Sequence, residues 1–345
     1  NILKMRNSAN DGWIDLRTLT GGITSSADAT INSITVGKGA NSVSGNTVLG
    51  ESALDASVSG TDNTAIGKTA LTALTSGINN TSLGSLTLAS NTTGSHNTAV
   101  GLGALNSNTT ASNNTAVGRS TLSTNTTGTQ NTAVGTLALN TSSTGDNNVA
   151  IGHYGLQQNS TGSQNVAVGS FALDANTTAS NNTAVGYNSL SANTTGANNT
   201  ALGHGCMDVN TTGNNNVAVG FQAMDANSTG SLSTGVGYNA LGANSTADEN
   251  TAVGSFCLSS NTTGSVNTAV GAKALSTNAT GNSNVAIGYE ALQMNTASNN
   301  TAVGMRALEE NTTADNNTAV GKDALTANTT AAGNTAVGAF ALDAN

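Results

Sequence analysis

The chain has 345 residues, 41 glycines, no proline, 8% charged and 3% aromatic side chains, and a formal net charge of -9. A globular enzyme carries about 25% charged residues and a core of large apolar side chains, and nine Lys and Arg in all cannot make a stripe that tracks nucleic-acid phosphates. No apolar run approaches the ~20 residues of a bilayer-spanning helix, and no secretory signal is visible. Because the first residue is Asn1 and the last repeat is cut short, the sequence is expected to be part of a longer chain.

Residues 1–19 read as an N-terminal β-hairpin. The stretch ILKMRNSANDGWIDLRTL alternates apolar and polar residues on both sides of Asn10-Asp11-Gly12, a strong turn signal. Ile2, Leu3 and Met5 would then face Trp13, Ile14 and Leu16. Residues 20–45 lack the regular spacing that follows. They are expected to be a connector or cap containing one irregular rung, since a bare sheet end exposes an unpaired edge.

From 46 to 345 the chain is a repeat array. The pentapeptide NTAVG starts at Asn97 and returns eight more times. With its Asn as position one, successive units are 17 residues apart, except for a 16-residue step from Asn284 to Asn300. The consensus is N-T/V-A-V/I/L-G-x-x-A-L-x-x-N-T-T-G-x-x. Positions two and four carry β-branched or apolar residues at a period of two, which predicts a short strand. Position five is always Gly, as at Gly101, Gly118 and Gly135, which implies a backbone angle or a close chain approach that a Cβ would forbid. Position nine is Leu, as at Leu105, Leu122 and Leu139, or Met, and a second strand is expected over positions seven to ten. The following Asn-Thr-Thr-Gly is turn chemistry.

Two strands and two turns per unit predict an all-β fold, a parallel β-solenoid of about eighteen rungs stacked at about 4.8 Å into a rod roughly 85 Å long. Equivalent residues would form ladders: Val100, Val117 and Val134 on one line, Asn97, Asn114 and Asn131 on another. A ladder rewards an unchanging sequence, because each rung meets a copy of its own surroundings. A thin rung with Ala at positions three and eight is expected to leave apolar surface uncovered. Several chains packed side by side would cover it, a homotrimer being the favoured count.

Units such as NVAIG at Asn148 and Asn284, and NSITVG from Asn32 to Gly37, resemble the repeats of YadA-like head domains. Those are the β-roll heads of trimeric autotransporter adhesins, which also occur in phage tail fibres. The resemblance spans residues 32–345 and implies a left-handed coil and trimeric packing, although the family's usual unit is shorter and the extra residues fall in the Asn-Thr-Thr-Gly turn. The N-terminal LKMRN and WI resemble segments of phage tail-fibre and structural proteins.

Residues with chemistry of their own are few. Cys206 and Cys257 occupy position eight three rungs apart, about 14 Å, too far for a disulfide. His96, His153 and His204 lie in separate rungs without metal-ligand spacing. Asp174, Asp208 and Asp225 share position ten and read as solvated carboxylates. Gly37-Lys38-Gly39 and Gly101-Leu102-Gly103 lack the following helix of a phosphate loop. Asn-Thr-Thr turns such as Asn176-Thr177-Thr178 match the glycosylation sequon only as a by-product of the repeat. Tyr154, Phe171, Tyr187, Phe221, Tyr238, Phe256, Tyr289 and Phe340 alternate between positions six and seven. A carbohydrate-binding stripe would keep to one position, so these rings are expected to fill space against a neighbouring subunit.

No catalytic residue, metal site, cofactor, nucleic-acid partner or membrane insertion is expected, and no enzyme activity. The sequence reading is a structural one: a trimeric phage tail-fibre shaft, extracellular on the virion, joined to other virion proteins at its ends and spacing a tip that meets a host receptor. The alternatives are the head or stalk of a bacterial trimeric adhesin on the cell surface, and an ice-binding solenoid, which would need Thr-x-Thr pairs facing outward from a flat strand.

Overall fold

A computed structural model describes residues 4–6, 13–15 and 28–343. Strands β1 (Lys4–Arg6) and β2 (Trp13–Asp15) pair antiparallel, with Met5 opposite Ile14 and Arg6 opposite Trp13. The Asn10-Asp11-Gly12 turn lies outside the described residues.

Strand β3 (Ala29–Ile31) turns back through Asn32 and Ser33, both at positive φ, into β4 (Ile34–Gly37). β4 in turn pairs antiparallel with β5 (Thr47–Gly50). The NSITVG segment therefore closes the end of the sheet as an antiparallel hairpin and is not a parallel rung. The cap continues through a short helical turn, Ala40–Ser42, whose Asn41 amide donates to the Val58 carbonyl at 2.9 Å. The Ala40 N–H donates to the Leu54 carbonyl at 3.0 Å, so the cap lies over the first full rung.

From β5 onward every strand is parallel to the next and shifted by one whole unit. The strands run through β6 (Thr64–Ile66), β8 (Thr98–Val100) and β9 (Thr115–Val117) to β22 (Thr335–Val337), eighteen in all. Thr98 stands opposite Thr115, Ala99 opposite Ala116 and Val100 opposite Val117, and the same register repeats along the array. The chain is a β-solenoid.

Only positions two to four form a strand. The expected second strand over positions seven to ten is absent: this segment is a run of turns in which positions seven and nine both have positive φ, as at Gly103 (68°) and Leu105 (51°), or Ser120 (52°) and Leu122 (50°). Left-handed residues alternating with right-handed or extended ones bend the chain so sharply that no sheet ladder forms, although the N–H of Leu105 still donates to the carbonyl of Thr121 in the next rung at 3.0 Å. This conformation explains position nine. It is Leu or Met in all eighteen units and never Val or Ile, since a branched Cβ is strained at positive φ, a strain that only Thr69 (56°) and Val266 (62°) accept, both outside the core.

The interior is thin. Ala at positions three and eight and Leu at nine form one continuous buried core from Val48 to Ala336. The strand turns its Ala inward and its two larger residues outward. Val134, Ile151 and Leu202, all at position four, are 36%, 42% and 46% exposed. An inward Val competes for space with the Leu arriving from the opposite wall, and only the first rung, beneath the cap, turns one inward, Val48 beside Leu54.

Candidate functional site

Four ladders run the length of the array. The first is Gly at position five. At Gly118 and Gly135, φ is 136° and 131°, and a Cβ at Gly118 would lie 2.6 Å from the carbonyl oxygen of Gly135. Gly101 has the same conformation, φ 117°, against Gly118. The second ladder is Leu105, Leu122 and Leu139, fully buried. The third, through Val100, Val117 and Val134, faces outward beside the position-two Thr or Val residues.

The fourth is polar and buried. The side-chain oxygen of Asn97 accepts the backbone N–H of Asn114 at 3.0 Å, and that of Asn114 accepts the N–H of Asn131 at 2.9 Å. Each of these amides also donates to the position-fifteen carbonyl, Asn97 to Ala111 at 2.9 Å and Asn114 to Gly128 at 2.8 Å. A parallel amide column occupies position twelve: Asn108 donates to Asn91 at 2.9 Å, and Asn125 to Asn108 at 2.9 Å. The sequence reads this second column as turn chemistry, and the structure adds that its amides are buried and bonded from rung to rung. Burying an amide is tolerated only when its hydrogen bonds are made, and a stacked rung supplies them. The same burial fixes the sequon asparagines: Asn176 has no exposed surface, and its amide donates to Asn159 at 2.8 Å and to Ala179 at 3.0 Å.

The remaining polar candidates do not converge. Asp28 fills the Gly37-Lys38-Gly39 loop with its own carboxylate, accepting the N–H groups of Lys38 and Gly39 at 2.6 Å each. Cys206 and Cys257 are buried free thiols, and burial pushes Cys257 up to about 12. Burial raises the carboxyls of Asp174, Asp208 and Asp225 from their ordinary value, and Asp225 is raised further by Asp208 in the neighbouring rung. Among the described residues no third His, Cys, Asp or Glu joins them in a metal-sized set.

The aromatic residues do converge. Positions six and seven flank one corner of the rod, and rings from both meet along it. Tyr154 and Phe171 lie 5.4 Å apart between centroids, Phe171 and Tyr187 6.0 Å. Tyr187, His204, Phe221 and Tyr238 follow at 5.3, 5.2 and 5.7 Å, within 24° of parallel. Phe256, at 4.8 Å from Tyr238 and 79° to it, closes the series. The alternation between two positions thus leaves the stripe continuous over seven consecutive rungs. Beyond it the corner becomes charged, with Lys273–Glu290 at 3.1 Å and Arg306–Asp323 at 2.8 Å.

The fold makes this chain a repeat protein of the parallel β-solenoid class. No protein-family model, curated protein or solved structure matches it.

Proposed function

We propose that the chain is a shaft segment of a multi-chain fibre, a homotrimer, and that the fibre is the tail-fibre shaft of a phage virion, extracellular and non-enzymatic. The observation that carries the reading is the outward face of the sheet. Position four is Val, Ile or Leu in every rung, and position two adds fourteen Thr and four Val, so an unbroken apolar line edged by Thr methyls and hydroxyls runs along eighteen rungs. At about 4.8 Å per rung and roughly 10 Å in width the strip covers about 800 Å², the area one partner contributes to a standard stable interface. Soluble monomers rarely leave a contiguous apolar patch beyond a few hundred Å² open to water. A second copy of the same strip is its natural complement, because the rung spacing is identical. The shaft of a bacterial trimeric adhesin would use the same face, and what distinguishes the two is the segment attached to the shaft.

Native mass with low-resolution imaging tests this reading. The expected particle has about three times the 33.7 kDa chain mass and is a rod about 80 Å long. A species that stays at 33.7 kDa at high protein concentration overturns the multi-chain shaft.

A second reading, ice binding, gains one observation. The strand displays Thr at position two and Val at position four outward on a parallel sheet in constant register, a regular two-column array of methyl and hydroxyl groups. The two readings compete for the same face. A monomer that shows thermal hysteresis supports ice binding, and a trimer without it supports the shaft.

A further inference from the structure

We propose that the aromatic corner between Tyr154 and Phe256 is a binding track for an extended, unbranched chain of neutral hexopyranose sugars. Every Phe and Tyr of the chain stands at position six or seven. The contiguous part is confined to seven rungs, whereas the apolar strip at positions two and four runs through all eighteen. Packing between copies of a uniform shaft would call for the same residues at every rung. In the first six rungs the corner carries residues such as Glu51, Lys68, Leu102 and Arg119 and no ring. Six of the eight rings therefore mark one place on the rod, and Tyr289 and Phe340 stand singly beyond it.

Three features fit that place to a sugar chain. The rings are open, Tyr187, Phe221 and Tyr238 being 50%, 45% and 47% exposed. At their spacing near-parallel rings are offset-stacked, so each presents part of a face as well as an edge to solvent. They also recur at the rung interval of about 4.8 Å, close to the rise of one hexopyranose in an extended glycan, so sugars and rings keep step over a run of a few rungs. Finally, the series ends in a groove of about 310 Å³ walled by the turned ring of Phe256 and lined by Ser260, Ser276, Thr277 and Gln293. An apolar ring beside a set of neutral hydroxyl and amide groups is what the C–H face and hydroxyl rim of a sugar require. Lys273 also lines the groove, but Glu290 holds its amine at 3.1 Å, which leaves little net charge there and favours a neutral glycan over an acidic one.

The site stands apart from the shaft reading, since a single chain carries the whole track. The test uses cellohexaose as an extended probe and maltohexaose as a helical probe of the same sugar, read by saturation-transfer NMR on the full chain. The track is removed by combining Tyr187→Ser, Phe221→Ser and Tyr238→Ser, which installs the residue that position six already carries at Ser85, Ser170 and Ser255. Leu102→Ser, in the ring-free half, is the control. The expected result is transfer to cellohexaose, weaker transfer to maltohexaose, and about a tenfold loss of cellohexaose affinity in the triple variant but not in the control. Silence with cellohexaose overturns the proposal, as does undiminished transfer in the triple variant. Equal binding of the two sugars overturns the register argument on which it rests. A native mass that falls in the triple variant identifies the corner as a contact between copies and likewise overturns it.

Discussion

Two glycines in one rung separate two costs that usually arrive together. Gly203 at position five has φ 141°, and a Cβ there would lie 2.4 Å from the carbonyl oxygen of Gly220 and 3.1 Å from the sulfur of Cys206. Gly205, two residues on, has φ 62°, and its nearest new neighbour would be the Gln222 side chain at 3.6 Å, an ordinary contact. The Gly205→Ala change costs the left-handed conformation alone, about 1–2 kcal/mol, and rungs on either side already place Asn188 and Gln222 at this angle. Gly203→Ala costs a Gly-only backbone region, about 1–3 kcal/mol, and also forces two rungs apart by about 1 Å to reach normal contact. That separation strains the bonds from Gly220 N–H to Leu202 at 2.9 Å and from Cys206 to Gly220 at 2.6 Å, each worth roughly 0.5–1.5 kcal/mol. The expected total is about 2–6 kcal/mol for Gly203→Ala. Because long repeat arrays do not unfold in two states, the readout is amide hydrogen exchange in the strands at 200–202 and 217–219 together with the urea midpoint. Equal loss of protection in the two variants would refute the close-approach argument.

Ser142 replaces Asn in the position-twelve column, and both its hydroxyl and the Asn125 side-chain oxygen are buried without partners. Ser142→Asn should rejoin the column and raise stability by about 1–3 kcal/mol, seen as a higher denaturation midpoint. Leu105→Ile keeps volume but branches the Cβ at φ 51°, so it should cost about 2 kcal/mol, whereas Leu105→Met should cost under about 1, as Met207 and Met224 fill the same place. Since the folded Asp225 carboxyl binds its proton more tightly than the unfolded one, it lowers stability as pH rises from the unfolded carboxylate pKa through the raised folded value. Asp225→Asn should therefore raise the urea midpoint at neutral pH and match wild type near pH 3.

The period, the glycine requirement and the ladders of like residues were legible because each is a constraint on a single position repeated eighteen times. The path of the chain between strand and turn was not. An Ala-Leu pair flanked by variable residues looks like a strand, and hydrophobic pattern carries no sign of φ. The cue was negative: position four accepts Val and Ile, and position nine never does. The direction of Val100 was also hidden, since Thr-Ala-Val has an apolar residue on either face and only the width of the finished rung decides which turns in. The aromatic corner escaped because positions six and seven look like opposite sides in an extended chain. The positive φ at position seven brings its ring back to the same edge.

The one-rung range of these contacts has a mechanical consequence. Among the described residues, hydrogen bonds join each rung to the ones before and after it, as Thr98 to Asn114 and Gly101 to Leu83. Pulled from its ends, such a rod cannot spread the load over its whole length, and rungs peel away singly. Each freed unit of 17 residues lengthens from about 5 Å of rod to nearly 60 Å of chain. Tension is then capped at the force that detaches one rung, and the rod behaves as a fuse that yields stepwise and re-templates on the intact stack when the load is released.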